Sequence, residues 1–500
     1  MKQTFIYFIL TILFFNNIHG QNIHEIKIDS FINSTLHKFK EIPGLSIAVV
    51  KDGKPFYTKS FGYSNVENKI KATQKTSYYI ASVTKSFVGL LAAKLEADKR
   101  IDLDKPIVSY KPIKNFKNKS LFENITIRDL LSHTSGIRND LFTWKFSSIG
   151  EYDYDSMSKL LDTKTRALYN NKFRYDNFGY NVFDLILKEE YGLSWKKLLE
   201  IEIFSPLDMK HTSANISTAY KNEWSLAIPY AAINDDKLPK EVLTQKNDDT
   251  FQAAGGMISS SEDMQKFLQL YLNKGKLNGQ RLFDEKVIDA SLLPIAETNE
   301  GSDIFTSKGY GLGWSKGLFN DKEVYYHFGG FDGFFSHLSF LPNENIGMVI
   351  LANESHFGDN ISNLISAFIY DLILGNITAV SDYSNEVEKV ENRVKYIQEN
   401  YRIDREFRAN NRKWTLMHDF YNYSGVYTNQ HLGNLVISTD SKGNINAKLG
   451  ISEAIASPSL NDESIRVEFR NGNGSDILFI SNSIDTMAAV YQGNVFLKQK

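Results

Sequence analysis

The chain has 500 residues, 42 % of them hydrophobic and 13 % aromatic, with a formal net charge of −2 and no cysteine. That length suggests two domains with apolar material for a large core, and the near-neutral balance points to neither nucleic acid nor an acidic membrane surface as a partner. The absence of thiols excludes disulfides, thiolate metal sites, a cysteine nucleophile and lipoprotein-type cysteine acylation.

At the N-terminus Lys2 precedes an apolar run over residues 5–15, and the small residue Gly20 follows. This order reads as a signal peptide over residues 1–20, with an uncleaved anchor as the competing reading. The product is expected to be exported, periplasmic or secreted, with no stable transmembrane segment after cleavage, because no later stretch is long and apolar enough to span a bilayer.

Residues 45–50 read as a strand, 51–54 as a hairpin turn and 55–63 as the returning strand. Ala81-Ser82-Val83-Thr84-Lys85-Ser86 then opens an apolar helix whose Phe87, Leu90, Leu91 and Leu95 form a buried stripe. Residues three apart share a helix face, so Lys85 can hold its amine against the Ser82 hydroxyl as a base holds a nucleophile of high pKa. A helix N-terminus also favours a developing oxyanion. Ser-x-x-Lys is cheap, however. It recurs at Ser156–Lys159, and taken alone it fits an ordinary capped helix better.

The lysine-rich stretch 111–119, broken by Pro and Asn, reads as a solvated loop, and residues 126–136 as a capped short helix followed by a polar turn. His133 and Ser135 in that turn are expected to bond local backbone. Helices are expected near 180–190, 194–203 and 261–272. After Lys308 the period changes to strands at 324–328, 334–341 and 346–352, closed by a helix at 361–374. Strands at both ends with helices between them indicate an α+β fold, one antiparallel sheet built from N- and C-terminal pieces around a helical insertion. A charged helix near 385–400 leads to seven short strands between about 425 and 497, which read as a small all-β barrel or sandwich.

Two further segments carry candidate chemistry. Tyr175-Asp176-Asn177 offers a phenol to relay protons and an amide to orient Lys85. Its tripeptide pattern is common in this chain, and what singles it out is a loop running straight into a helix. His327-Phe328-Gly329-Gly330 ends a strand in glycines, where backbone approaches a substrate closely and an N–H near Gly330 can complete an oxyanion hole with that of Ser82.

In this order, Ser82-x-x-Lys85, Tyr175-x-Asn177 and His327-x-Gly329 resemble the serine β-lactamase and penicillin-binding-protein superfamily. The branch that fits best is the class C β-lactamase-related one, which also holds D-stereospecific peptidases and esterases. Supporting stretches are 125–137, 204–212, 254–264 and Tyr310-Gly311-Leu312-Gly313-Trp314. The tail resembles the lipocalin-like β domain often appended to this branch. Behind the signal peptide at 1–20, the expected division is a hydrolase domain at 21–378, a linker helix at 379–415 and a small β-barrel at 416–500. The resemblance implies Ser82 as the acylated nucleophile, Lys85 and Tyr175 sharing acid–base work, and Asn177, His327, Gly329 and Gly330 binding substrate. Which of Lys85 and Tyr175 takes the serine proton stays open, with Lys85 expected to lower the phenol's pKa. No metal or organic cofactor is implied, and the expected partner is a small-molecule or peptide substrate.

Class C β-lactamases carry Lys-Thr-Gly where this chain has His327-Phe328-Gly329. A titratable imidazole and a phenyl ring are poor receivers of a carboxylate, so penicillin hydrolysis is expected to be weak and an ester or small D-amino-acid amide the better substrate. A peptidoglycan D,D-carboxypeptidase and a non-catalytic binding protein on the same fold are the alternatives.

Overall fold

The computed structural model describes residues 23–150, 152–168, 172–234, 239–244, 246–470, 472–480 and 487–499. The segment read as a signal peptide lies outside them.

Leu45-Ser46-Ile47-Ala48-Val49-Val50 has almost no polar side, and such a strand is stable only with both faces covered. It forms β1 (Gly44–Lys51), buried in all but its last residue, and returns as β2 (Lys54–Asn65). Asp52 and Gly53 make the turn at φ 51° and 67°, the left-handed pair that a tight hairpin requires. With β3 (Ile70–Lys71), β4 (Thr306–Tyr310), β5 (Ser315–Phe319), β6 (Lys322–Phe331), β7 (Phe334–Leu341) and β8 (Ile346–Ala352) it builds an eight-stranded antiparallel sheet. The order is β4-β5-β6-β7-β8-β1-β2-β3, so the N-terminal hairpin closes the sheet against β8.

The alternation of β1 feeds two cores. Ala48 and Val50 face the helical insertion, while Ile47 and Val49 pack under α1 (Ile23–Lys38) and α5 (Gly358–Ile373). On the first side lie α2 (Thr84–Ala97), α3 (Phe178–Tyr191) and α4 (Ser261–Leu272), with Phe87, Leu90, Leu91 and Leu95 of α2 buried as expected. Glycine lets the loop 311–314 touch α2 directly. A Cβ on Gly89 would stand 1.9 Å from the Leu312 carbonyl oxygen, and one on Gly313 (φ 78°) would stand 2.0 Å from that of Lys85.

Three expectations are corrected here. The lysine-rich stretch is not simply solvated: short 3-10 turns bury Ile113 and Phe116 while its lysines stay exposed. The charged helix is longer than its sequence pattern, running as α6 (Ala379–Asn411). Two strands before residue 324, β4 and β5, extend the sheet.

The C-terminal region is a nine-stranded, nearly closed antiparallel barrel, adding Ser452–Ile455 and Ser457–Pro458 to the seven expected strands. Ile149 of the first domain joins the barrel's own core, and its carbonyl accepts from the Ile451 N–H at 2.9 Å. No helix among the described residues is long and apolar enough to cross a membrane.

Candidate active site

Ser82 lies in a 3-10 turn, Ala81–Val83, that leads directly into α2. Ala81 is held at φ 44°, a conformation that a residue with a Cβ adopts only under constraint. The constraint comes from β6: a Cβ on Gly329 would lie 2.1 Å from the Ile80 carbonyl oxygen and 3.1 Å from the Ser82 nitrogen. Only glycine at 329 lets the strand lie flush against the Ser82 turn.

The Lys85 side chain is fully buried, and its Nζ lies 3.1 Å from Ser82 Oγ, 2.8 Å from Asn177 Oδ1 and 2.6 Å from the Ala254 carbonyl oxygen. Burial pulls its pKa down to about 7, against a smaller upward pull from Asp176. The geometry suits the neutral amine. The two oxygens of Asn177 and Ala254 can only accept, so they take its two N–H groups and leave the lone pair facing the serine proton.

Tyr175 sits in the loop before α3 and leaves 39 % of its surface open, and the Ser82 hydroxyl acts on its phenol. Burial of the phenol raises its pKa well above the usual tyrosine value. This corrects the expectation that Lys85 would lower it. Burial is the largest influence on the phenol, and the Lys85 Nζ stands 4.8 Å from the ring centroid rather than at the hydroxyl.

His327 is buried. Its Nδ1 lies 2.8 Å from the Phe328 carbonyl oxygen and therefore donates, which leaves Nε2 to accept from the Tyr310 hydroxyl at 3.2 Å. Burial pushes its pKa down to about 3, so the imidazole is neutral and already paired at both nitrogens, not the titratable group expected. Phe328 points to the opposite face of the sheet and packs on Phe305, Phe335 and His337. Gly330 is exposed, with open space where a Cβ would be. Strand β6 pairs with β5 only as far as Tyr326, so the edge from His327 to Phe331 has no strand partner on that side among the described residues.

The structure thus brings Ser82, Lys85, Tyr175, Asn177, His327 and Gly329 together, with Gly330 on the adjoining free edge. Ser156 and Lys159 form no second site. Ser156 donates its N–H to the capping Asp153 at the start of a helix, and Lys159 is exposed.

Sequence reasoning missed three contributors. His133, expected to bond local backbone, instead accepts the Asp176 N–H at Nδ1 (3.2 Å), and its ring lies 4.6 Å from that of Tyr175. Its φ of 62° turns the side chain under the tyrosine loop, a geometry that no local pattern announces. Tyr310 fixes His327. The Ala254 carbonyl holds Lys85, and the only signal for it was Gly255-Gly256 beside it, which marks a close backbone approach.

Comparison with known proteins supplies the wider setting. The family described as Beta-lactamase matches residues 32–369. Protein flp of Staphylococcus aureus (strain COL) is 31 % identical over 346 residues, 66 % of this chain and 64 % of that protein. The chain therefore spans 64 % of the length of that relative. The unguisins hydrolase ungD of Aspergillus violaceofuscus is 24 % identical over 338 residues, 64 % of this chain and 59 % of that protein. Among solved structures, the octameric penicillin-binding protein homologue from Pyrococcus abyssi superposes with a TM-score of 0.60 at 22 % identity, over 94 % of this chain and 99 % of that one. The D-amino acid amidase from Ochrobactrum anthropi SV3 complexed with D-phenylalanine has a TM-score of 0.57 at 20 % identity, over 69 % and 98 %. At such identities the two structures speak for the fold.

Proposed function

Because the chain belongs to the Beta-lactamase family, we propose that it is a serine hydrolase that cleaves an ester or amide through an acyl-enzyme on Ser82. The observation that carries this is the Lys85 amine, held by two acceptors and facing the Ser82 hydroxyl at 3.1 Å, with a pKa of about 7. Neutral Lys85 takes the serine proton as Oγ attacks the carbonyl carbon. The oxyanion accepts from the Ser82 N–H and one near Gly330. As the tetrahedral adduct collapses, Tyr175, protonated because its pKa is raised, gives its proton to the leaving group and regains one from Lys85. Water activated by the same pair then releases the acyl group, and Ser82 recovers its proton.

The preferred substrate in this reading is a simple ester or small D-amino-acid amide rather than a penicillin. Supporting this, His327 is neutral with both nitrogens engaged, and Phe328 faces the other core, so neither receives a carboxylate. An exported location belongs to the same proposal and rests on the apolar run after Lys2. A secreted product whose mass begins after residue 20 would bear it out, and one retaining that run would not.

The test is intact-mass detection of an adduct with a fluorophosphonate and with a penicillin in parallel. A fluorophosphonate adduct that disappears in Ser82→Ala is the expected result. A persistent penicillin adduct would move the reading to a D,D-peptidase, and no adduct from either reagent would overturn it.

A further inference from the structure

The barrel and the hydrolase domain enclose a cavity of about 280 Å³ whose walls include Trp144, Phe331, Asp332, Phe469, Arg470 and Tyr491. Its near wall belongs to the active-site strand. Phe331 is two residues beyond Gly329, so the cavity begins about 7 Å along β6 from the glycine that touches the nucleophile turn. Phe331 also packs edge-on to Tyr79, three residues before Ser82, with ring centroids 4.8 Å apart.

The two directions along this strand are unequal. Toward His327 the cleft is filled by Tyr310, bonded to the imidazole, and by Tyr175, whose ring lies 6.1 Å away. Tyr175 is the group that protonates the leaving group, so the leaving group departs at that end. The acyl portion then runs the other way, past Gly330 and Phe331 toward the barrel.

What the acyl portion meets there is cationic. Arg470 ends a barrel strand, and its side chain stays 54 % exposed while its Nε lies 3.7 Å from Oδ1 of Asp332, the one carboxylate among the described residues of the cavity's walls. That is a loose pair, long for a charge-assisted hydrogen bond, and it leaves guanidinium donors free for a second anion. His356 is the other titratable group acting on Asp332, and Lys246 lies over the Tyr79 ring at 5.1 Å, behind Phe331. The hairpin that carries Arg470 is pinned to the hydrolase domain, because Thr244 Oγ1 donates to the Phe469 carbonyl oxygen at 3.1 Å.

We propose that this cavity is the distal acyl subsite of the enzyme, and that Arg470, supplied by the barrel, selects substrates whose acyl portion carries a carboxylate about two residue lengths from the scissile carbonyl. The proposal rests on the hydrolase reading given above. It makes the barrel part of the substrate cleft, with the aromatic walls covering the chain that leads to the carboxylate.

The p-nitrophenyl esters of acetylglycine, succinylglycine and β-alanylglycine test it, since they share the glycyl ester and amide and differ in what the acyl group carries beyond them. The ratio of kcat/KM for the succinyl to the acetyl ester should exceed one in the native chain. It should fall ~10- to 100-fold in Arg470→Ala, the factor expected for one charge-assisted contact. In Asp332→Asn, where a competing carboxylate is removed, the ratio should rise. Opposite shifts cannot come from general loss of folding, which cancels in a ratio. A ratio unchanged in both variants, or lowered in both, would overturn the proposal. Calorimetry of succinylglycine and acetylglycine on Ser82→Ala separates the two readings. A binding preference without ester hydrolysis by the native chain refutes the hydrolase reading alone, whereas hydrolysis without any preference refutes the subsite.

Discussion

The pKa of Lys85 makes the site's acid limb predictable. Below about 7 the amine carries a proton and cannot accept the one on Ser82. With one such group, the competent fraction is about a half at pH 7, ~1/10 at pH 6 and ~1/100 at pH 5. Acylation should therefore level off above pH 8 and fall ~50-fold from pH 7 to pH 5, with a limiting slope of one. The second-order rate of fluorophosphonate labelling reads this directly and needs no natural substrate. Tyr175 adds no inflection in that window, because burial keeps its phenol protonated, and His327, pushed down to about 3, adds none either. Lys85→Arg, whose guanidinium does not deprotonate, should lose labelling at every pH tested. A labelling rate flat between pH 5 and 8, or one that rises only near pH 10, would refute the assignment of Lys85 as the base and the desolvation argument with it.

Three further outcomes follow from the same geometry. Tyr175→Phe should slow hydrolysis of an amide ~10²- to 10³-fold while costing a p-nitrophenyl ester far less, since a good leaving group departs without a proton; equal losses in steady-state kinetics would count against Tyr175 as the acid. Gly329→Ala places a methyl 2.1 Å from the Ile80 carbonyl oxygen, so denaturant unfolding should report a loss of ~1–3 kcal/mol, with acylation slowed as the Ser82 turn is displaced. Lys85→Met removes a group whose folded pKa lies below its unfolded value. Between about 7 and 10.5 the unfolded native chain binds the extra proton, so native stability gains with rising pH. The stability advantage of the methionine variant should then shrink by ~1.4 kcal/mol per pH unit across that window, and a constant difference would contradict the buried neutral lysine.

The sheet was legible because its strands carry their burial in their composition. β1 is apolar on both faces, β7 and β8 are bounded by turn residues, and each appears where expected. Seven of the nine barrel strands were legible from their apolar runs between Gly/Asn turns, whereas Ser452–Ile455 and Ser457–Pro458 were not. β4 and β5 were not, since Thr-Ser-Lys-Gly-Tyr and Ser-Lys-Gly-Leu-Phe look like loop, and tertiary pairing rather than propensity makes them strands. At the site, Ser82 and Lys85 could be paired by helical spacing alone. Tyr175 and Asn177 needed the loop-to-helix context. His133 was misread because its partner, the Asp176 N–H, is 43 residues away in sequence. Ionisation states were beyond reach for a physical reason: they depend on burial, which spacing does not encode.

In the proposed mechanism, that burial divides the proton work among one set of residues. A low-dielectric site disfavours whichever form is charged, so the same desolvation lowers the lysine, lowers both histidines and raises the tyrosine. The outcome differs only because the groups differ in sign. Lysine becomes a base competent near neutrality, tyrosine stays an acid, and His133 and His327 become neutral supports that hold the Asp176 backbone and the Tyr310 hydroxyl. Asp176 is the carboxylate that acts on Lys85 among the described residues, and its position limits how far Lys85 falls. Its Oδ1 accepts from the Phe178 N–H at 2.8 Å and the Thr143 hydroxyl at 3.2 Å, while the amine bonds the Asn177 oxygen instead. A carboxylate in place of Asn177, 2.8 Å from Nζ, would hold Lys85 protonated and abolish the base. In the proposed mechanism the amide at that position is therefore as much a condition of the chemistry as the serine.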